Sequence, residues 1–583
     1  LRPDLVAARV NLGLAYHAVG DYQLAVADLR QADEENPHLL ATNLFLGLSY
    51  MKLGFPEKAI PALNQALMID PSNREAKRAL ATAELAEYQY GKAAAQFRKL
   101  AAADPDKADA WFALGQDYLE LAKRSTAQMT AQFPNSAWAL RLAGDVLGER
   151  RAWNDAAFAY RKALAADPAQ RGLHAALARS LVHGGKTEEA AAEYKAEISH
   201  YPFEEPALLG WAEIQLLKGN THLALDAIAS IWKLSPLFLA QALAGFPEIS
   251  VPAAQARRMC SELEQLPTSP GREFLLSALY RISGESSRAD KERLSFLRDA
   301  KAASASNADR VVLAQSSCEQ HQERACVEFL ESQRQLSLGG LMRLARTLLM
   351  LGQNEPASEA FASVYAQNQR SSEAIYWLSQ SYLRLADDCF NQLTASYPNS
   401  WRAHELKGES LHARQENKEA IVEYQAAEQL RPDDARIHQS LGELFLDGNQ
   451  IDPGKSELET ALRLNPADAR SLFLLGQLYV NEREPAKGIP YLEAALRYEP
   501  SLIEARPALG KAYLKVGKPD LAAAQFEQSV SIDRYGDLHY LLFEAYRDAG
   551  KPELASRALA QSQELRRKSA ADDQARLHLA DQK

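Results

Sequence analysis

The chain has 583 residues, 47% of them hydrophobic and 24% charged, with 76 acidic against 66 basic side chains and a formal net charge of −10. That balance argues against nucleic acid as a partner, because such binding depends on neutralising phosphates. No stretch approaches the ~18 consecutive apolar residues that a membrane span needs.

From the first residues onward, prolines recur at a fixed interval: Pro3, Pro37, Pro71, Pro105, Pro134, Pro168, Pro202, Pro236, then Pro398, Pro432, Pro466 and Pro500. Nine of the eleven steps are 34 residues, one is 29 and one is a long gap. A period in this range marks a solenoid whose units pack only on their neighbours. Residues 6–18 carry Val6, Val10 and Leu14 at 3–4 spacing, which predicts an amphipathic helix. Gly20-Asp21 breaks it, and Tyr22–Ala32 restarts the pattern with Val26 and Leu29. Pro37 stops the second helix, since it lacks an amide donor and biases its predecessor away from helical geometry. Gly13 and Ala25 are small because two helices must approach closely there, and a larger side chain would overpack the contact. Pro3 occupies the proline slot of a unit whose helices are missing, so the polypeptide is expected to start further upstream, with any signal peptide or anchor in that part.

The stretch NLGLAYHAVGDYQLAVADLRQADEENP closely resembles the tetratricopeptide repeat, a pair of antiparallel helices with small–large–small packing. The resemblance implies an all-α fold, a right-handed superhelical solenoid of antiparallel helix pairs. It also implies protein or peptide partners. The small slot recurs at Gly13, Gly47, Ala81, Gly115, Gly144, Ala178 and Ala212, giving a first array of seven units over 1–236. It recurs again at Ala314, Ala345, Ser379, Gly408, Gly442, Gly476, Gly510 and Phe543, giving eight units over 306–567. Between them, 237–305 loses the ladder, and helical patterns at 253–266, 272–282 and 287–303 predict degenerate hairpins, with Phe274, Leu275, Leu276, Leu279, Leu294, Phe296 and Leu297 to bury a face. Residues 568–583 form a polar tail, a solvated helix or a frayed end. The Ala-rich, loosely conforming repeats suggest a bacterial protein.

A larger duplication underlies the arrays: a shift of 264 residues aligns Ala81–Pro236 with Ala345–Pro500 without gaps. Both copies contain one short unit, at Gly115–Pro134 and Ser379–Pro398, lacking the five residues that would form the turn between its helices. Either an old deletion was copied with the block, or each short unit makes a bend or altered groove where a partner docks.

The cysteines are Cys260, Cys318, Cys326 and Cys389. Cys318 and Cys326 face across a helix–turn–helix, where a disulfide would suit an exported, periplasmic or cell-surface, protein. The alternative is that Cys326 is a reduced core residue in an alanine slot. A metal site through His321 would have only three nearby candidate ligands and is not expected. Gly184-Gly185-Lys186-Thr187 resembles the end of a phosphate loop, but Ser180 replaces the earlier glycine and the segment falls on an inter-helix turn. His404-Glu405 begins a zinc-protease pattern that Gly408 breaks. His174, His404 and His438 share one slot, four before the small residue, which repeat packing explains better than catalysis. No catalytic, cofactor or metal motif is found, so the chain is expected not to be an enzyme.

The resemblance places a binding surface on the inner face, lined by the first helix of each unit. Its candidates lie three before, one after and four after the small slot: Phe112, Gln116, Leu119, Arg141, Asp145, Tyr376, Gln380, Leu383, Glu405, Glu409 and His412. Aromatic and amide groups beside mixed charge could hold an extended peptide or a partner helix. The repeats that clamp a chaperone's C-terminal carboxylate carry Lys and Asn where this chain has Val10 and Leu14. Three functions are expected in order: a non-catalytic scaffold, a subunit that stacks head to tail with itself, and the regulatory arm of an enzyme, such as a glycosyltransferase, whose catalytic part lies elsewhere.

Overall fold

Two amphipathic helices can fold back on each other only if the chain reverses sharply between them, and one residue makes that reversal here. Seven positions after the small slot, φ is positive in every full unit among the described residues. It is 85° at Gly20, 78° at Gly54 and 79° at Gly185, but also 58° at Tyr88, 58° at Arg151 and 57° at Asn449. An L side chain in this left-handed region costs energy that glycine avoids. The next amide donates to the carbonyl five residues back, closing the helix end: Asp21 N to Tyr16 O at 2.9 Å, Phe55 N to Tyr50 O at 2.9 Å, Gln89 N to Glu84 O at 2.8 Å. The Gly184-Gly185-Lys186 segment is one of these turns, leading into the helix Thr187–His200.

The structure, a computed structural model, describes residues 6–306 and 337–581 apart from Pro105, Phe203, Ser235 and Ile249. Those residues are helical throughout with short connections, and no strand occurs among them. The all-α repeat fold expected from the sequence is what is found. The first units are the helix pairs Val6–Ala18 with Tyr22–Glu35, Leu40–Lys52 with Pro56–Ile69, and Arg74–Ala86 with Tyr90–Ala102. Within each pair a large side chain seats on the small slot sixteen residues earlier: Leu29 on Gly13, Leu63 on Gly47, Tyr160 on Gly144, Tyr424 on Gly408. A Cβ added at these four glycines would lie 2.5–2.7 Å from the seated side chain, which no real contact tolerates. Twelve positions after the slot, Ala25, Ala59, Ala93 and Ala420 are fully buried.

The two short units obey the same rule in a different way. Without the turn residues their helices do not reverse, and each runs on as one long helix, Lys107–Gln132 and Ser372–Ser396. Phe390 is the large residue of the second short unit, eleven residues after Ser379 and on the same helix, so it cannot fold back onto its own slot. It seats instead on Gly115 of the first copy, where an added Cβ would lie 2.3 Å from the ring. Phe112 and Phe390 meet at 6.4 Å between centroids, and Ala108, Phe112 and Leu393 form a small core there. The other halves of the same helices meet through Tyr118 and Tyr382, stacked at 6.0 Å. The first short unit thus completes its hairpin with the second helix of the other copy, and the two long helices meet again at Tyr118 and Tyr382.

This exchange divides the chain into two compact units, Leu1–Asp117 with Asp387–Lys583, and Tyr118–Ala386. They cut across the arrays expected at 1–236 and 306–567, because each boundary falls inside a long helix. In the first unit, Tyr22 donates to the carbonyl of Tyr498 at 3.1 Å, and Lys52 pairs with Glu499 at 2.7 Å. The second unit has its main core at Ala253–Glu264, Pro270–Ser283 and Ser286–Ser306, where Phe246, Phe274 and Phe296 pack in series at 4.9 and 5.4 Å. Leu294 is 66% exposed and takes no part in that face, contrary to expectation, because it points off the helix opposite Phe296. The last helix, Pro552–Asp581, continues into the polar tail.

Gly115→Ala is expected to destabilise the chain by about 1–3 kcal/mol in urea unfolding, through overpacking against Phe390. A double-mutant cycle with Phe390→Leu should recover at least about 1 kcal/mol of this. Additive effects would place the ring elsewhere and remove the exchange.

Candidate functional site

Several of the slots expected on the inner face fall into two clusters, one in each unit, at the places where the copies meet. In the first unit Arg402 is 6% exposed and is held on four sides. Its Nε donates to Asp109 at 2.6 Å and its Nη1 to Glu405 at 2.6 Å, while its guanidinium lies 3.6 Å from the Trp401 ring and 4.5 Å from that of Phe112. Gln116 donates to Glu409 at 2.8 Å. Burial, then the neighbouring Glu405, raises the Glu409 carboxyl to about 7, against the pull of Gln116 and Arg402.

In the second unit the 264-residue shift predicts the same partners, and Trp138 stands where the first unit has Arg402. Trp138 packs on Tyr376 at 4.9 Å and on Trp377 at 5.8 Å. The guanidinium of Arg141 lies 5.6, 5.3 and 5.7 Å from the rings of Trp138, Tyr376 and Trp377. Asp145 accepts from the hydroxyls of Tyr160 and Tyr376, each at 2.7 Å. Burial foremost holds both phenols well above the ordinary tyrosine range.

These contacts change the standing of the expected groove residues. Phe112, Tyr376 and Glu405 are buried, 4%, 3% and 5% exposed, rather than lining an open groove, because the helix of the other copy covers them. Gln116, Arg141, Asp145 and Glu409 are half-buried in the same contacts. Leu383 is exposed, Leu119 and Gln380 are half-buried, and His412 faces Asn417 of its own unit at 3.2 Å. The reading of slots missed Asp109, Trp138, Glu373 and Arg402, which all lie six before the small residue. That shared register was the available signal. Arg346, one after the slot at Ala345, pairs with Glu373 at 3.2 Å.

His174, His404 and His438 each pair through Nδ1 with a glutamate nineteen residues later: Glu193 at 2.6 Å, Glu423 at 2.7 Å, Glu457 at 2.7 Å. With Glu428, the last of these is a group close enough to hold a metal ion among the described residues. Its ring is already spanned, with Nε2 3.0 Å from the Pro432 carbonyl, and against the effect of burial these acceptors raise His438 above the ordinary histidine value. Cys260 and Cys389 are buried. Cys318, Cys326 and His321 lie outside the described residues.

Profiles of the tetratricopeptide repeat match residues 16–83, 408–448, 440–507 and 504–535. Those stretches of the chain are tetratricopeptide repeats. Among solved structures it is similar to MamA (20% identity, covering 29% of this chain and 94% of that one, TM-score 0.27). It is also similar to MamA from Desulfovibrio magneticus RS-1 (16% identity, 29% and 96%, TM-score 0.27). A third is YrrB, described as a TPR protein with an unusual peptide-binding site (21% identity, 33% and 97%, TM-score 0.27). No curated protein sequence matches the chain. Among the described residues no helix is long and apolar enough to cross a membrane.

Arg402→Ala is expected to destabilise the chain by about 3–5 kcal/mol in urea, since it leaves Glu405 buried without its cation. Glu409 sets a pH dependence of known sign. Its folded pKa lies above the ordinary carboxylate value, so its contribution is fully present below about 4.5 and is lost as pH rises through about 7. Between pH 5 and 8 the wild type should therefore lose stability relative to Glu409→Gln, by on the order of 2 kcal/mol. Parallel curves would place Glu409 in solvent.

Proposed function

We propose that the chain is a non-catalytic scaffold that holds a protein or peptide partner on the first helices of its repeats. The observation that carries this reading is the side-by-side contact of successive first helices within each unit. Val6–Ala18 touches Leu40–Lys52, which touches Arg74–Ala86; Ala137–Glu149 touches Leu173–His183, which touches Glu205–Lys218. Such a row presents side chains from several units along one continuous surface, which suits an extended peptide or a helix better than a small molecule. The repeat family supports a binding role in the same direction. The buried clusters at Arg402 and Arg141 leave the adjoining slots, Leu119, Gln380 and Leu383, as the accessible part of that surface in the second unit.

Photo-crosslinking from an inner and an outer position tests this. With p-benzoylphenylalanine in place of Leu383 or Leu119 in the full chain, irradiation in cells is expected to yield discrete polypeptide adducts. The same group at Met68, 76% exposed, or Leu294, 66% exposed, should give none. Equal labelling from all four positions would remove the inner face as the docking surface. Adducts consisting only of the chain itself would replace an external partner with self-assembly.

A further inference from the structure

We propose that His438, Glu428 and Glu457 form a binding site for one divalent transition-metal ion of the zinc type, which clips two successive repeats together. The proposal goes beyond the scaffold reading and does not depend on it. The three ligands come from three consecutive helices of the first unit. Glu428 lies on Asn417–Leu430, the second helix of one repeat; His438 on Ala435–Asp447 and Glu457 on Ile451–Leu464, the pair of the next. His438 is 4% exposed, and its Nδ1 lies 2.7 Å from the Glu457 carboxylate and 3.9 Å from that of Glu428. One ligand atom from each of the three lies within 4.8 Å of the other two.

The partners of the ring decide what it needs. Nε2 lies 3.0 Å from the Pro432 carbonyl, which can only accept, so Nε2 carries the hydrogen. Nδ1 then faces two carboxylates, which are acceptors as well, and its lone pair has to meet a positive centre. A proton would serve but leaves one negative charge over. A single imidazolium stands against two carboxylates, and neither of them pairs with a lysine or arginine among the described residues. A divalent ion balances both carboxylates and keeps the imidazole neutral, the form in which histidine ligates. A backbone carbonyl on the far ring nitrogen is also how metal-ligating histidines are held in their tautomer.

Zinc bonds of about 2.0–2.2 Å in a tetrahedron put ligand atoms roughly 3.3–3.6 Å apart. The Glu457 oxygen has to draw back from Nδ1 and the Glu428 oxygen to close in, each by roughly half an ångström. Both glutamates can make that shift, since their side chains keep 23% and 32% of their exposure. The same exposure admits the ion and leaves a water the fourth position. An imidazole ligand favours a transition ion over magnesium or calcium, which take oxygen. The repeats supply their own comparison. His174 and His404 stand in the same slot and pair with Glu193 and Glu423, at 2.6 and 2.7 Å. Ten residues before them, where Glu428 precedes His438, the chain has Leu164 and Thr394. Those two histidines have a single carboxylate each, and the site is confined to the third.

The test is calorimetric titration of the EDTA-treated full chain with Zn²⁺ under reducing conditions. Glu428→Gln removes one ligand and leaves the His438–Glu457 pair in place; Glu457→Gln removes another. Glu423→Gln, in the two-ligand pair of His404, is the control. Wild type and control are expected to bind Zn²⁺ at a site that each of the two site variants weakens by about tenfold or more. Zn²⁺ should also raise the melting temperature of wild type and control, and raise that of the site variants less, because the ion ties three helices of the folded chain. Failure of the wild type to bind Zn²⁺ overturns the proposal. So does an affinity unchanged in Glu428→Gln, which would place the ion at other residues, such as the cysteines. An equal loss in Glu423→Gln would show that a histidine–glutamate pair is enough, and displacement by Mg²⁺ at equal concentration would assign the site to oxygen ligands alone; both overturn it.

Discussion

A helical hairpin in this chain depends on one backbone reversal, and the structure is organised by where that reversal is present and where it is absent. In every full unit that is described, a residue with positive φ sits seven places after the small slot, and where that slot is glycine a large side chain returns to cover it nine places later. Five of these turns use Tyr88, Arg151, Gln415, Asn449 or Arg483 and accept the strain that glycine would spare. The packing of two helices repays it, since each seated Leu, Tyr or Phe buries a full side chain against a bare backbone.

Removing the turn does not remove the need to cover the slot. Gly115 still requires a large neighbour, and Phe390 still requires a bare backbone to lie on. Because the chain carries the shortened unit twice, the two can satisfy each other. A single short unit would leave half of a long helix with an uncovered apolar stripe, a costly arrangement in water. The duplication and the deletion are thus one structural device. It brings residues 109–116 against 390–409, and in the other unit 138–145 against 376–377.

The two meeting places are related by the duplication but have diverged in chemistry. Where the first unit sets an arginine between two acids, the second sets a tryptophan against a tyrosine and has its arginine, Arg141, at the position of Glu405. The first is closed by its own ion pairs and serves stability. The second keeps partly exposed cations beside an aromatic floor.

The helix pairs, the small slots and the missing turns could be read along the chain, because each is set by residues within a few turns of one another, and the 264-residue duplication shows as a repeat of those same signals. Gly13 and Leu29 are partners whatever surrounds them. Slots at three before, one after and four after the small residue are expected on an open face, yet Phe112, Tyr376 and Glu405 are covered. Nothing local could reveal this, because what covers Phe112 lies nearly three hundred residues away, in Phe390 and Arg402. Linear sequence determined that this is an array of helical hairpins with two defective units. Only the tertiary structure decided which second helix completes each defective unit, since that choice is made by apolar surfaces seeking cover across the whole chain rather than by the turn that was lost.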